Sequence, residues 1–274
     1  MANIQTLDPD ASPLAYYGGE LRRQREAQGL TQPQLGTIIF CTGSVVGQIE
    51  TTKKIPTRDF SERVDAALGT DGTFSRLVGL VLRSQLPTWF QPYADMEAKA
   101  AYISTYQAQV VYGLLQTEEY ARAVLATGMP DDLEGLLAAR MERQRILERD
   151  RPPLAWAILD EAVLYRPIGG HEVMRAQLQK LLDYAAHRWM RIQVLPFEAG
   201  EHASLDGSFT GMRFDDDPDI IYTEDLISGH MTANPETVRE GSLRYAHLQA
   251  AALSVEESAA RISRVMEERY ADQH

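Results

Sequence analysis

The chain has 274 residues, is 44% hydrophobic and carries a net charge of −12, so it can bury a sizeable core, and its length sets a prior of two domains. No apolar run approaches the ~20 residues of a membrane span, and no charged, apolar and small-residue leader opens the chain. A single cysteine excludes an internal disulfide and fits a reducing cytoplasm.

The first thirteen residues, with Asp8, Pro9, Asp10 and Pro13, read as a loose tail. Leu14 to Gln28 predicts a helix with Leu21 inward, ended by Gly29 as a C-cap residue. Thr31 can cap a second helix, with Pro33 in its first turn where a missing N–H is harmless. Leu35, Ile38 and Ile39 give it one apolar face. Cys41 to Ser44 breaks the pattern, and Thr42 is placed to cap a third helix whose inward set is Val45, Val46 and Ile49. Helices this short cannot stand alone. Joined by a three- or four-residue turn, they form a helix-turn-helix, a shape that fits one helix into a DNA groove. Cys41 reads as a filler of the small core, with a redox sensor as the alternative.

Thr57 to Leu68 predicts a fourth helix through Phe60, Val64, Ala67 and Leu68. After an Asp71-Gly72 turn, Thr73 to Ser84 predicts a fifth through Phe74, Leu77, Leu80 and Val81. Pro87 marks a boundary. Beyond it, Tyr93 to Thr105, Thr117 to Thr127, Asp131 to Arg149, Val173 to His187, Thr237 to Ala252 and Ser254 to Tyr270 read as helices. Ser254 and Glu257 have capping-box spacing. Leu154 to Leu159, Ile192 to Leu195, Phe209 to Phe214 and Ile220 to Thr223 read as strands. The expected architecture is an all-α N-terminal helix-turn-helix domain of five helices (residues 14–85) followed by a larger α+β domain with a small sheet (residues 86–274).

A net charge of −12 argues at first against a nucleic-acid partner. Its distribution reverses that. From Leu14 to Phe60, Arg22, Arg23, Arg25, Lys53, Lys54 and Arg58 stand against Glu20, Glu26, Glu50 and Asp59, so the segment is net basic. The acid lies elsewhere, so the basic module should project away from the acidic body, or two modules should face one duplex from a dimer.

From about Tyr17 to Leu68 the chain resembles the phage-repressor or xenobiotic-response-element class of helix-turn-helix domains. The markers are Gly29-Leu30-Thr31-Gln32, Leu35, Thr42 and Ile49-Glu50. The resemblance implies that the third helix enters the major groove by its N-terminal end. Its outward positions are then Gly43, Ser44, Gly47 and Gln48, with Val45 at the rim. Gln48 can pair with adenine in bidentate fashion or donate to guanine, Ser44 can reach a base edge or a phosphate, and Val45 can meet a thymine methyl. Gly43 offers no side chain where many relatives use glutamine, which leaves more of the readout to DNA shape. Gln32 and Thr42 at helix starts and Lys53 and Lys54 after the third helix are expected at phosphates, with Arg22 and Arg23 on the first helix and Arg58 as weaker candidates. A charge on the first helix is otherwise simply solvated. The resemblance also pairs Arg25 with Glu50 as a structural bridge between the first and third helices.

In the second part, Trp89 with Glu97, Tyr112 to Arg122, Arg140 with Arg143-Gln144, Leu159 to Ala162, Gln177-Leu178 and Gln193 to Pro196 resemble the WhiJ-like regulators of sporulating bacteria. That resemblance implies a transcriptional regulator whose second domain senses a small protein encoded by a neighbouring gene, a small molecule, or both. It leaves open an antitoxin-like protein that sequesters such a partner and autoregulates its operon, and a small-molecule-gated repressor. Trp89, Glu97, Arg140, Arg143, Gln144 and Glu161 are the expected partner or ligand surface. Arg140, Arg143 and Arg145 can equally pair with nearby glutamates.

Catalysis is not expected. Asp160 and Glu161 are adjacent, so on a strand they face opposite sides. The histidines lack metal-ligand spacing, and neither a nucleophile elbow nor a phosphate loop is present. No cofactor or metal is expected. The reading is of a cytoplasmic DNA-binding regulator, dimeric because specific sites tend to be paired half-sites. The two-fold contact is expected on the helices between Val238 and Tyr270.

Overall fold

The computed structural model describes residues 8–271. It divides into two compact units. The first runs to Pro87 and also takes in Glu134–Glu142; the second holds Thr88–Leu133 and Arg143 onward.

The first unit is all-helical: α1 (Pro13–Ala27), α2 (Gln32–Ile38), α3 (Gly43–Glu50), α4 (Arg58–Leu68) and α5 (Thr73–Gln85). Residues 1–7 of the expected tail lie outside the described residues. From Asp8 onward the chain is already organised. The Asp8 carboxylate caps a 3-10 turn (Pro9–Ala11), and Ser12 caps α1 with Pro13 in its first turn. Thr31 and Gln34 complete a reciprocal capping box on α2, and Thr42 and Thr57 cap α3 and α4.

The core gathers Tyr17, Leu21, Leu35, Ile39, Val46, Ile49, Phe60, Val64 and Phe74, all at most 4% exposed. Two expected inward residues point out instead. Ile38 is 47% exposed and Leu80 57%, because the short α2 and α5 bury narrower stripes than their apolar runs suggest. The N-cap position of α5 is Gly72, which offers no side-chain cap. Asp65 on α4 supplies one from outside, accepting from the N–H groups of Phe74 (2.9 Å) and Ser75 (2.8 Å) and from the hydroxyls of Thr70 and Ser75.

The second unit is α+β. It contains α6 (Gln91–Glu97), β1 (Tyr102–Gln107), α7 (Glu118–Ala126), β2 (Leu154–Asp160), α9 (Ala162–Tyr165), α10 (His171–Ala185), β3 (Met190–Leu195), β4 (Phe209–Arg213), β5 (Ile220–Glu224), β6 (Gly229–Thr232), α11 (Pro235–Ala251) and α12 (Val255–Arg269). Helix α8 (Leu133–Gln144) gives residues 134–142 to the first unit, and its first residue and last two to the second. The expected division, by contrast, assigns that whole helix to the second part.

One mixed sheet has the order β3-β2-β1-β4-β5-β6. β1, β2 and β3 are parallel, and β4 to β6 run antiparallel. The larger core of this unit includes Ile103, Leu115, Leu159, Leu178, Ile192 and Ile262. Tyr106, Ile158, Leu195 and Leu248 belong to a second cluster. The sequence expectation of a helix over Tyr93 to Thr105 is corrected: α6 stops at Glu97 and the central strand follows. β6 was also missed.

Candidate nucleic-acid interface

Helix α3 is held by three sets of contacts. Its start is capped by Thr42, whose hydroxyl accepts from Val45 N–H at 3.3 Å. Its inner face, Val46 and Ile49, is buried in the first unit's core. Its end is tied down through Glu50, which is 2% exposed. The Arg25 guanidinium donates to both Glu50 oxygens, Nε at 2.5 Å and Nη2 at 3.0 Å, and Nη1 donates to the Leu30 carbonyl at 2.7 Å. A buried pair of this kind is well satisfied, and it fixes how α1 and α3 stack.

This arrangement leaves one helical stripe free. Ser44, Gln48 and Thr51 are exposed, at the i, i+4 and i+7 spacing of a single face. Thr51 was not among the sequence candidates, although its spacing from Gln48 marks it; its hydroxyl donates to the Gly47 carbonyl at 2.7 Å. Val45 is half-buried and packs against the core edge, so its methyls lie at the rim of the stripe.

Two expected DNA contacts are placed differently. A Cβ on Gly43 would come within 2.7–2.8 Å of the Pro33 backbone, so this glycine faces α2 and allows the two helices to touch. It is a packing residue and not an outward position. Gln32 is half-buried, and its side-chain amide donates to Glu50 Oε2 at 2.7 Å. Its carbonyl oxygen lies 2.8 Å from where a Gly47 Cβ would stand. Gln32 therefore joins the Arg25–Glu50 bridge, and Gly47 makes room for it. A side chain committed inward in this way is not available to a phosphate without breaking that bond.

The basic residues also separate. Arg22 bonds Glu26 at 3.0 Å, and Arg23 bonds Glu20 at 2.6 and 2.7 Å. Both are neutralised on their own helix, which is the solvated alternative for that face. Arg58 pairs with Glu142 and donates to the Ser75 carbonyl at 2.9 Å, so it is a structural residue of the first unit. Lys53 and Lys54 are exposed and make no side-chain hydrogen bond or ion pair among the described residues. They follow α3 directly, and the Lys53 N–H closes its last turn on the Gln48 carbonyl at 2.8 Å. Thr42 is exposed with its hydroxyl engaged as the cap. Cys41 is half-buried, and burial pushes its thiol up from the usual value against weaker opposite pulls from Arg63 and Lys54. That favours the unreactive thiol over a sensor.

The turn between α2 and α3 carries backbone strain. Phe40 has φ +57° and is 85% exposed. A phenylalanine in the left-handed region lacks the usual glycine or asparagine tolerance.

The expected partner surface in the second unit is largely interior. Glu97 is 2% exposed; it takes a bidentate pair from Arg143 (2.8 and 2.9 Å) and a bond from the Tyr112 hydroxyl at 2.7 Å. The Arg143 guanidinium lies 4.6 Å from the centre of the Phe90 ring. Gln144 ties the Gly113 and Gln116 carbonyls, and Lys180 donates to it. Glu161 pairs with Arg261 and accepts from Phe197 N–H at 2.8 Å. These four residues build the unit and do not present a surface. Trp89 and Arg140 are half-buried. In sequence, buried ion-pair networks and exposed recognition clusters look alike, since both collect charged and aromatic residues.

Two family models match. Residues 90–264 match one described as Domain of unknown function (DUF5753), and residues 17–76 match one described as Helix-turn-helix domain. The chain belongs to the DUF5753 family. Its first unit is a helix-turn-helix domain in which α2 and α3 are the paired helices. No curated protein and no solved structure matches the chain.

Proposed function

We propose that the protein is a cytoplasmic, sequence-specific DNA-binding transcriptional regulator. The observation that carries the reading is the outer stripe of α3. Ser44 and Gln48 are exposed on a helix whose other face and both ends are fixed, and shortly after it come Lys53 and Lys54, which have no ion pair among the described residues. Gln48 offers both an acceptor and two donors to a base edge, and Ser44 one hydroxyl. Lys53 and Lys54 supply sequence-blind attraction to the phosphate backbone. With Gly43 inward and α3 only eight residues long, few side chains reach bases, so DNA shape carries a share of the specificity.

In this reading the second unit is the regulatory input. The apolar hollow lined by Ile103, Tyr112, Leu114, Leu147, Ala157 and Met190 has room for about one water molecule, too little to hold a small-molecule signal as it stands. Selection of duplexes from a random pool by the full chain tests the reading. Wild type should enrich a defined motif, and Gln48→Ala should broaden it at one or two positions. A pool that stays unenriched would remove the proposal.

A further inference from the structure

The two edges of the sheet are finished differently. At the β3 edge the Val194 N–H donates to the Ser258 hydroxyl at 2.9 Å, and the Val194 carbonyl accepts from Leu253 N–H at 2.9 Å. The α11–α12 connection thus covers that edge. At the other end β6 has only β5 beside it. The hairpin turn closes on a bond from Asp225 N–H to the Ser228 carbonyl. Hydrogen-bonded and non-bonded pairs alternate along an antiparallel ladder. His230 and Thr232 therefore bond inward to Thr223 and Ile221, while Gly229 and Met231 turn their N–H and C=O groups outward. None of those outward groups has a partner among the described residues. β6 is short, but it carries no lysine, proline or bulge to turn a second strand away.

We propose that β6 pairs with β6 of a second copy of this chain, antiparallel about a two-fold axis at His230, to make one continuous sheet. Three observations select this occupant. The free groups are self-complementary: Gly229 of one copy opposite Met231 of the other gives two backbone hydrogen bonds, each made twice by symmetry, four in all. Gly229, His230, Met231 and Thr232 carry no formal charge in a chain of net −12, so two copies can approach here with little repulsion. The same register brings Ile227, 79% exposed, level with Ala233 of the second copy, which is also exposed. That hairpin tip is preorganised, since the Asp225 carboxylate accepts from Ile227 N–H, Ser228 N–H and the Ser228 hydroxyl. The pairing replaces the helices between Val238 and Tyr270 as the two-fold contact, and it stands whether or not the chain binds duplex.

Sedimentation equilibrium of the full chain tests it. An interface of four strand bonds and two hairpin tips belongs to the small, reversible class, so wild type should dimerise in the micromolar range. On the axis the two His230 side chains form a non-bonded pair about 5 Å apart. His230→Glu and His230→Lys each place like charges there, and each should raise the dissociation constant at least about tenfold. His230 is exposed, so neither change should lower the melting temperature of the monomer, read well below the dissociation constant. An equimolar mixture of the two variants should recover the dimer. A wild-type chain that stays monomeric at several hundred micromolar overturns the proposal. So do charge variants that dimerise as wild type does, or a mixture that fails to recover.

Discussion

Replacing Arg25 by alanine removes the bridge that sets the angle of α3. Glu50 is 2% exposed, and Arg25 supplies two of its three side-chain hydrogen bonds, leaving only the Gln32 amide. A carboxylate stripped of its cation inside a protein typically costs about 3–5 kcal/mol. At about 4 °C or more per kcal/mol for a domain of this size, the first unit should melt at least ~12 °C lower. Differential scanning calorimetry of the full chain, with Arg22→Ala and Lys53→Ala as controls, measures this. Arg22 has only Glu26, itself about half exposed, as partner, so its loss should stay within ~0.5 kcal/mol. Lys53 has no side-chain partner among the described residues and should leave the melt unchanged. Adding Glu50→Ala to Arg25→Ala should restore part of the loss, because the stranded charge goes with it. Equal melts for Arg25→Ala and Lys53→Ala would refute the division between structural and DNA-facing charges.

Gln48→Ala should lose about 1–3 kcal/mol of discrimination at the base it reads, with its loss of affinity concentrated on the preferred duplex, as competition binding on single-base variants would show. Lys53→Ala and Lys54→Ala should weaken all sequences alike and lower the log–log salt slope by about 0.9 for each phosphate contact removed. Phe40→Gly should stabilise the first unit by about 1 kcal/mol, since it relieves a left-handed phenylalanine whose ring is 85% exposed; chemical denaturation reads this directly. Burial pushes the Asp65 carboxyl up, but the hydroxyls of Ser75 and Thr70 and the N–H groups of Phe74 and Ser75 outweigh it and hold the group below its ordinary value. Its contribution is then full above an unfolded value of about 3.9 and is lost as pH falls through the lower folded value. Unfolding followed from about pH 6 to about pH 3 should show that loss in wild type and a flatter profile in Asp65→Asn.

The first unit was legible because its signals are local. Thr31, Thr42 and Thr57 cap the helices they precede, and Leu35, Val46 and Ile49 repeat at helical spacing. What the sequence hid was the direction of short side chains. Gly43 reads as an empty outward position, but only the closeness of Pro33 reveals it as the contact between two helices. Gln32 stands at a helix start, where a phosphate contact is the natural expectation; its inward bond needs Glu50, eighteen residues later. In the second unit β1 was missed because the alanines and charges before it continue the helical pattern of α6. The Tyr-Ile-Ser-Thr-Tyr run, rich in β-branched and aromatic residues, was the available signal. Glu97, Gln144 and Glu161 look like surface chemistry until Arg143, Lys180 and Arg261 are brought to them by packing that no local pattern encodes.

The most direct test is a titration of the full chain into an enriched duplex across a range of salt concentrations, run beside a double Ser44→Ala, Gln48→Ala variant of equal melting temperature. Tight binding should fall along a straight log–log line as salt rises, and the variant should keep that slope while losing preference for the enriched sequence. A flat titration at low ionic strength, or a variant that discriminates as well as wild type, would contradict a protein that reads DNA through the exposed stripe of α3.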